Sequence, residues 1–219
     1  MNSTSGQRNG PGRRILIVGT GGQGVLTAAR LLCDCLVERG HHVVSGQLHG
    51  MAQRGGAVQS SVIVDYGISP VIPSGRADCV LGFEPVETVR ALPFVSSRTV
   101  VYMNTAPVVP FIIGQQSVLQ GKEAKYPDVG TLAEAVRAVT PHIFTFDATQ
   151  RAAEAGSARA LNMVMLGCLF GAEILPCTAG AFWGTAVARM PPAMSETNGK
   201  AFLHGVELGK ALQLAEGRP

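Results

Sequence analysis

Two glycine-rich segments hold the residues best suited to ligand chemistry. The first is Gly19-Thr20-Gly21-Gly22-Gln23-Gly24, in which Gly19, Gly21 and Gly24 satisfy G-x-G-x-x-G between an apolar strand and a helix. Its glycines serve a tight turn, the close approach of a backbone or ligand, and the packing of helix on strand. The helix N-terminus adds unpaired N–H groups that favour an anion. A dinucleotide would need an acid after the second strand, and Ser45-Gly46-Gln47-Leu48-His49 offers none. Nor is this a Walker loop, because no Lys-Ser/Thr follows Gly24. A phosphate seat, a purely structural turn and a surface against a partner chain remain as readings.

The second segment is His49-Gly50-Met51-Ala52-Gln53-Arg54-Gly55-Gly56. Arg54 has the fork geometry to meet a carboxylate or phosphate. His49 donates or accepts near neutral pH, and Gln53 is suited to orienting neighbours. The alternative is a rigid loop whose Arg54 caps carbonyls. Candidates for substrate or coenzyme-phosphate binding are therefore Gly19, Gly21, Gly22, Gln23, Gly24, His49, Gln53, Arg54, Gly55 and Gly56. No residue stands out as catalytic or as a metal ligand.

The elements that hold these segments follow from apolar periodicity. Residues 1–13 read as a disordered leader, and residues 14–215 as one domain. Ile15–Val18 is a strand, Val25–Arg39 a helix stopped by Gly40, and His41–Ser45 a second strand. Together they predict a β–loop–α–β unit with parallel pairing and a right-handed crossover. Further strands are expected at Val58–Val64, Asp78–Phe83, Arg98–Asn104 and His142–Phe146. Glu84-Pro85 opens a helix, Thr131–Val139 forms another, and Ile112–Asp128 is irregular. Three helical patterns close the chain at about 157–172, 178–189 and 195–215. The fold class is α/β: a Rossmann-like, mostly parallel sheet with flanking helices and a C-terminal helical segment. Asn104, Asn162 and Asn198 read as capping or packing amides.

Composition limits the partners. Of the 219 residues, 46% are apolar and only 15% charged, which suits a folded chain with part of its surface covered. The net charge of +3 comes from Arg8, Arg13 and Arg14; without these three of the 18 basic residues, 15 face 15 acids. A basic face for nucleic acid is not expected. No apolar run is long enough to span a membrane, and residues 1–13 lack the apolar core of a secretory signal, so a cytoplasmic protein is expected. The five cysteines have no metal or cluster spacing and read as small buried hydrophobes in a reducing compartment.

Taken together, Gly19–Thr27 and Gln47–Gly56 resemble the gamma-type subunits of 2-oxoacid:ferredoxin oxidoreductases, above all the beta subunits of the indolepyruvate type. Ala77-Asp78-Cys79-Val80-Leu81-Gly82-Phe83-Glu84-Pro85 and Val101-Tyr102-Met103-Asn104-Thr105 agree with that resemblance. So do Asn162-Met163-Val164-Met165-Leu166-Gly167 and Asn198-Gly199-Lys200-Ala201-Phe202. It spans Arg14 to Leu214.

The resemblance implies an accessory subunit of an enzyme that oxidatively decarboxylates a 2-oxoacid to its acyl-coenzyme A. Thiamine diphosphate, magnesium and iron–sulfur clusters would sit in a larger partner subunit. Coenzyme A would be co-substrate and ferredoxin the electron acceptor. Alone, such a chain would be inactive and prone to self-association. Indolepyruvate or another aryl-pyruvate is the expected substrate; pyruvate, 2-oxoglutarate and phenylglyoxylate enzymes carry similar subunits. A free-standing anion- or nucleotide-binding module is the alternative.

Overall fold

The computed structural model describes residues 12–49, 56–108 and 126–215. In chain order these form β1 (Arg13–Thr20), α1 (Val25–Glu38), β2 (Val43–His49), β3 (Ala57–Val64), β4 (Cys79–Gly82), α2 (Pro85–Arg90) and β5 (Val100–Asn104). Then come α3 (Val129–Arg137), β6 (Ile143–Phe146), α4 (Ala148–Glu154), α5 (Leu161–Gly171), α6 (Ala179–Val187) and α7 (Pro192–Ala215). Arg13, assigned to the leader by sequence, is the first residue of β1 and pairs with Val64. The rest of the leader, residues 1–11, lies outside the described residues.

The strands make one six-stranded sheet in the order β2-β3-β1-β4-β5-β6. β1, β4, β5 and β6 are parallel neighbours, while β3 runs antiparallel to both β1 and β2. The expected direct pairing of β1 with β2 does not occur, because β3 lies between them. The cause is the short connection over residues 50–56. Parallel neighbours need a crossover of about a dozen residues or more, so β3 turns back against β2 instead. β2 is also longer than expected: it continues through Gln47 and Leu48 to His49, whose backbone pairs with Val58.

Helices cover both faces, so β1 is buried from Ile15 to Thr20 without alternation. Ile15 and Ile17 face one core with α1, α4, α5, α6 and α7. Leu16 and Val18 face the other, with Ala91, Ala133 and Val136 from the α2 and α3 side. All of α5 is buried, as befits a helix apolar on every side. It lies so close to α7 that glycines are needed at the contact. A Cβ on Gly205 would fall 2.1 Å from the Val164 carbonyl oxygen, and one on Gly209 2.3 Å from that of Cys168.

The sequence reading missed α4. Asp147 caps it by accepting from the Gln150 amide at 2.7 Å, and this Asp-x-x-Gln start was the available signal. The segment expected to be irregular, 112–128, lies outside the described residues except for its last three positions.

Candidate functional site

The loop after β1 sits at the carboxyl edge of the sheet. There the chain leaves β1 toward β2 on one side, whereas the later strands build out on the other. Open α/β sheets take ligands at such a switch point.

Gln23 closes the loop. Its Oε1 accepts from the Thr20 amide at 2.8 Å and the Thr20 hydroxyl at 3.1 Å. Its Nε2 donates to the Phe83 carbonyl at 2.9 Å. Asn104 Nδ2 donates to the same carbonyl at 2.9 Å, while Asn104 Oδ1 accepts from the Ala148 amide at 3.0 Å. The ends of β1, β4 and β5 are thus joined through one carbonyl oxygen. Both ends of the Gln23 amide are occupied within the chain, so this candidate is a latch. Asn104 is the capping amide its sequence suggested.

The glycines divide the remaining work. A Cβ on Gly19 would lie 2.8 Å from Gln23 Oε1 and 2.9 Å from Phe83 Cβ, so Gly19 permits the latch to close. Gly22 has φ +102° with open space where a Cβ would project, and Gly24 has φ +82°. Gly24 is the N-cap of α1 and supplies no side-chain acceptor. The first helical bond runs from the Ala28 amide to the Gly24 carbonyl at 2.9 Å. The amides of Val25, Leu26 and Thr27 therefore point out of the helix with no acceptor among the described residues. With the helix dipole, they make this end attractive to an anion.

The two glycine segments meet. The Gly21 amide donates to the Gly56 carbonyl at 2.9 Å. Gly50, Gln53, Arg54 and Gly55, and the side chain of His49, lie outside the described residues. The dinucleotide reading fails on topology as well as sequence: the strand beside β1 is the antiparallel β3, and β2 stands at the sheet edge.

Glu84 anchors the same edge of the sheet. It is buried at the end of β4 and caps α2 by accepting from the Glu87 amide at 3.0 Å. Its Oε1 also accepts from the Val108 amide at 3.4 Å and from the Tyr126 hydroxyl. Burial, then the hydrogen bond to Glu84, push the Tyr126 phenol up from its ordinary value. Burial likewise raises the Glu87 carboxyl. The sequence reading of Glu84-Pro85 as a helix start is borne out by this cap.

Residues 14–208 match the pyruvate ferredoxin/flavodoxin oxidoreductase family. The chain belongs to this family. The indolepyruvate oxidoreductase subunit IorB of Archaeoglobus fulgidus is 38% identical over 162 residues, 74% of this chain and 78% of that protein. Among solved structures, the gamma subunit of a keto/oxoacid ferredoxin oxidoreductase from Geobacter sulfurreducens superposes with TM-score 0.63 at 23% identity. That match covers 91% of this chain and 99% of the subunit. The 2-oxoglutarate:ferredoxin oxidoreductase of Magnetococcus marinus, solved with 2-oxoglutarate, coenzyme A and succinyl-CoA, has TM-score 0.63 at 17% identity. It covers 94% of this chain and 32% of its own. As a member of the pyruvate ferredoxin/flavodoxin oxidoreductase family, the chain has the gamma-subunit fold, with the glycine loop at the head of its first helix.

Among the described residues, no three His, Cys, Asp or Glu side chains converge as a metal site. The five thiols are free, and Cys35 and Cys177 stand 3.0 Å apart between sulfurs. Such a set does not fit a cluster held by four thiolates. No helix of the described residues is long and apolar enough to cross a membrane.

Proposed function

We propose that this chain is the accessory subunit of an indolepyruvate-type 2-oxoacid:ferredoxin oxidoreductase, and that its glycine loop seats a phosphate of coenzyme A. The observation that carries this reading is the uncapped start of α1, with three outward amides behind Gly22 and Gly24 at positive φ. A diphosphate or phosphomonoester satisfies such donors without a buried counter-charge. Gly21, Gly22 and Gly24 would contact it, with Gly19 and Gln23 holding the turn. His49, Gln53, Arg54, Gly55 and Gly56 are the further candidates for ligand contact, with Arg54 suited to a phosphate or the oxoacid carboxylate.

Family membership supports assigning the iron–sulfur clusters to a larger partner, together with thiamine diphosphate and magnesium. That cofactor supplies the carbanion chemistry of decarboxylation when bound. Ferredoxin would take the electrons. Aryl-pyruvate specificity follows the name of the relatives. The reading puts the complex in the cytoplasm, where five free thiols stay reduced. Residues 14–215 would act as one domain.

Exposed apolar side chains give the partner somewhere to bind: Ile68 is 90% exposed, Val71 70% and Leu203 59%. Without it, the same faces favour self-association, and no turnover is expected.

The test is Gly22→Asp in the complex with its partner, beside Gly22→Ala as a control for backbone strain. The Asp variant should raise KM for coenzyme A roughly tenfold or more, beyond the Ala variant, with the KM for the oxoacid unchanged. Equal coenzyme A kinetics in both variants and the wild type would refute the phosphate seat.

A further inference from the structure

Asn162 is the second residue of α5, and its side chain lies against the head of α1. A Cβ on Gly24 would stand 3.2 Å from both Cγ and Nδ2 of Asn162. Asn162 is only 9% exposed. Its amide has no hydrogen-bond partner among the described residues, yet no buried side-chain nitrogen or oxygen is left unpaired. The amide therefore keeps some of the small exposure that remains. A nine-tenths buried side chain thus keeps its polar end open, beside Gly24, the N-cap of α1.

This arrangement differs from a capping or packing amide. Asn104, also buried, spends its amide on the Phe83 carbonyl and the Ala148 amide. Asn162 accepts from no amide of α1, which has no side-chain cap at all. Buried polar groups find partners in native proteins. An open amide next to an uncapped helix start calls for a ligand that bonds both.

We infer that Asn162 is a ligand-binding residue of the anion seat, donating through Nδ2 to the phosphate oxygen that the α1 amides hold. The inference rests on the reading of the glycine loop as a phosphate seat and names a further residue for it. The ligand class is a phosphate ester or diphosphate. A neutral donor suits it: Asn162 adds a charge-assisted hydrogen bond. α5 packs against both α1 and α7, so the donor sits on a buried helix.

The experiment uses the intact complex with its partner and coenzyme A as probe, titrated by calorimetry. Inorganic pyrophosphate serves as the competing anion. Asn162→Ala should weaken coenzyme A binding roughly tenfold or more, in line with the loss of a hydrogen bond to a charged group. Asn162→Asp keeps the shape, sets a carboxylate against the phosphate and should weaken it further; it also serves if the Ala variant does not fold. Pyrophosphate should compete in the wild type and lose potency in both variants. Unchanged coenzyme A affinity in folded Asn162 variants, with only the melting temperature lowered, would overturn the inference. Gly22→Asp run in parallel separates the two ideas. If Gly22→Asp weakens binding and the Asn162 variants do not, this inference falls and the phosphate seat stands. If none of the three changes affinity, both fall.

Discussion

Tyr126 donates its hydroxyl to the buried carboxylate of Glu84, the same group that caps α2 and receives the Val108 amide. One carboxylate thus ties the end of β4 to the chain on both sides of residues 109–125. Glu84→Ala should destabilise the fold by about 3 kcal/mol, because it strips a helix cap and leaves buried donors unpaired. Glu84→Gln should cost about half as much, since one acceptor oxygen remains. Denaturant titration of the two variants checks the order.

The raised Tyr126 phenol fixes a pH dependence. The folded protein holds this proton more tightly than the unfolded chain. The corresponding stability is fully present below the ordinary tyrosine value of about 10 and is lost as pH rises beyond it. Tyr126→Phe should flatten the fall in stability measured above pH 10, while lowering stability at pH 7 by about 1 kcal/mol.

Glycine at the α5–α7 contact is a packing requirement. Gly205→Ala would press a methyl to 2.1 Å from the Val164 carbonyl, and the helices would have to part. A loss of about 1–3 kcal/mol is expected. Gly184, inside α6 with nothing within 4 Å of its Cβ position, provides the opposite case. Gly184→Ala should stabilise by about 0.5–1 kcal/mol. Paired thermal melts read both signs.

Burial and the neighbouring Cys177 push the Cys35 thiol up to about 12, and burial also raises Cys79 and Cys168. Since the thiolate is the nucleophile, iodoacetamide at pH 8 should leave these three unmodified in the folded chain. Cys177, which is partly exposed, should carry the main adduct. Peptide mass mapping before and after unfolding tells them apart; rapid native labelling of Cys35 would contradict the packing of α1 on the Cys177 loop.

The glycine loop was legible because glycine spacing between a strand and a helix has few physical uses, and the structure puts Gly19, Gly22 and Gly24 to three of them. The role of Gln23 was not legible. Its latch depends on Phe83, 60 residues away, and a single sequence carries no mark of such a pairing. The same holds for Asn162 beside Gly24, which local periodicity treats as one more residue of an apolar helix. The strands themselves were found, but the place of β3 was misread. Apolar patterning marks a buried strand without saying which neighbour it takes, and only the short 50–56 connection forces the antiparallel return. Helix α4 escaped because its seven residues are too few to establish a period, leaving the Asp147 cap as the only cue.

In the proposed function, this chain completes a coenzyme A-dependent enzyme with a larger thiamine- and cluster-bearing partner. The most direct measurement compares indolepyruvate oxidation, followed by reduction of ferredoxin, for the chain alone, the partner alone and the reconstituted pair. Turnover to the acyl-coenzyme A is predicted only for the pair, with coenzyme A dependence weakened by Gly22→Asp. Turnover by the chain alone, or full coenzyme A-dependent turnover by the partner without it, would contradict the assignment.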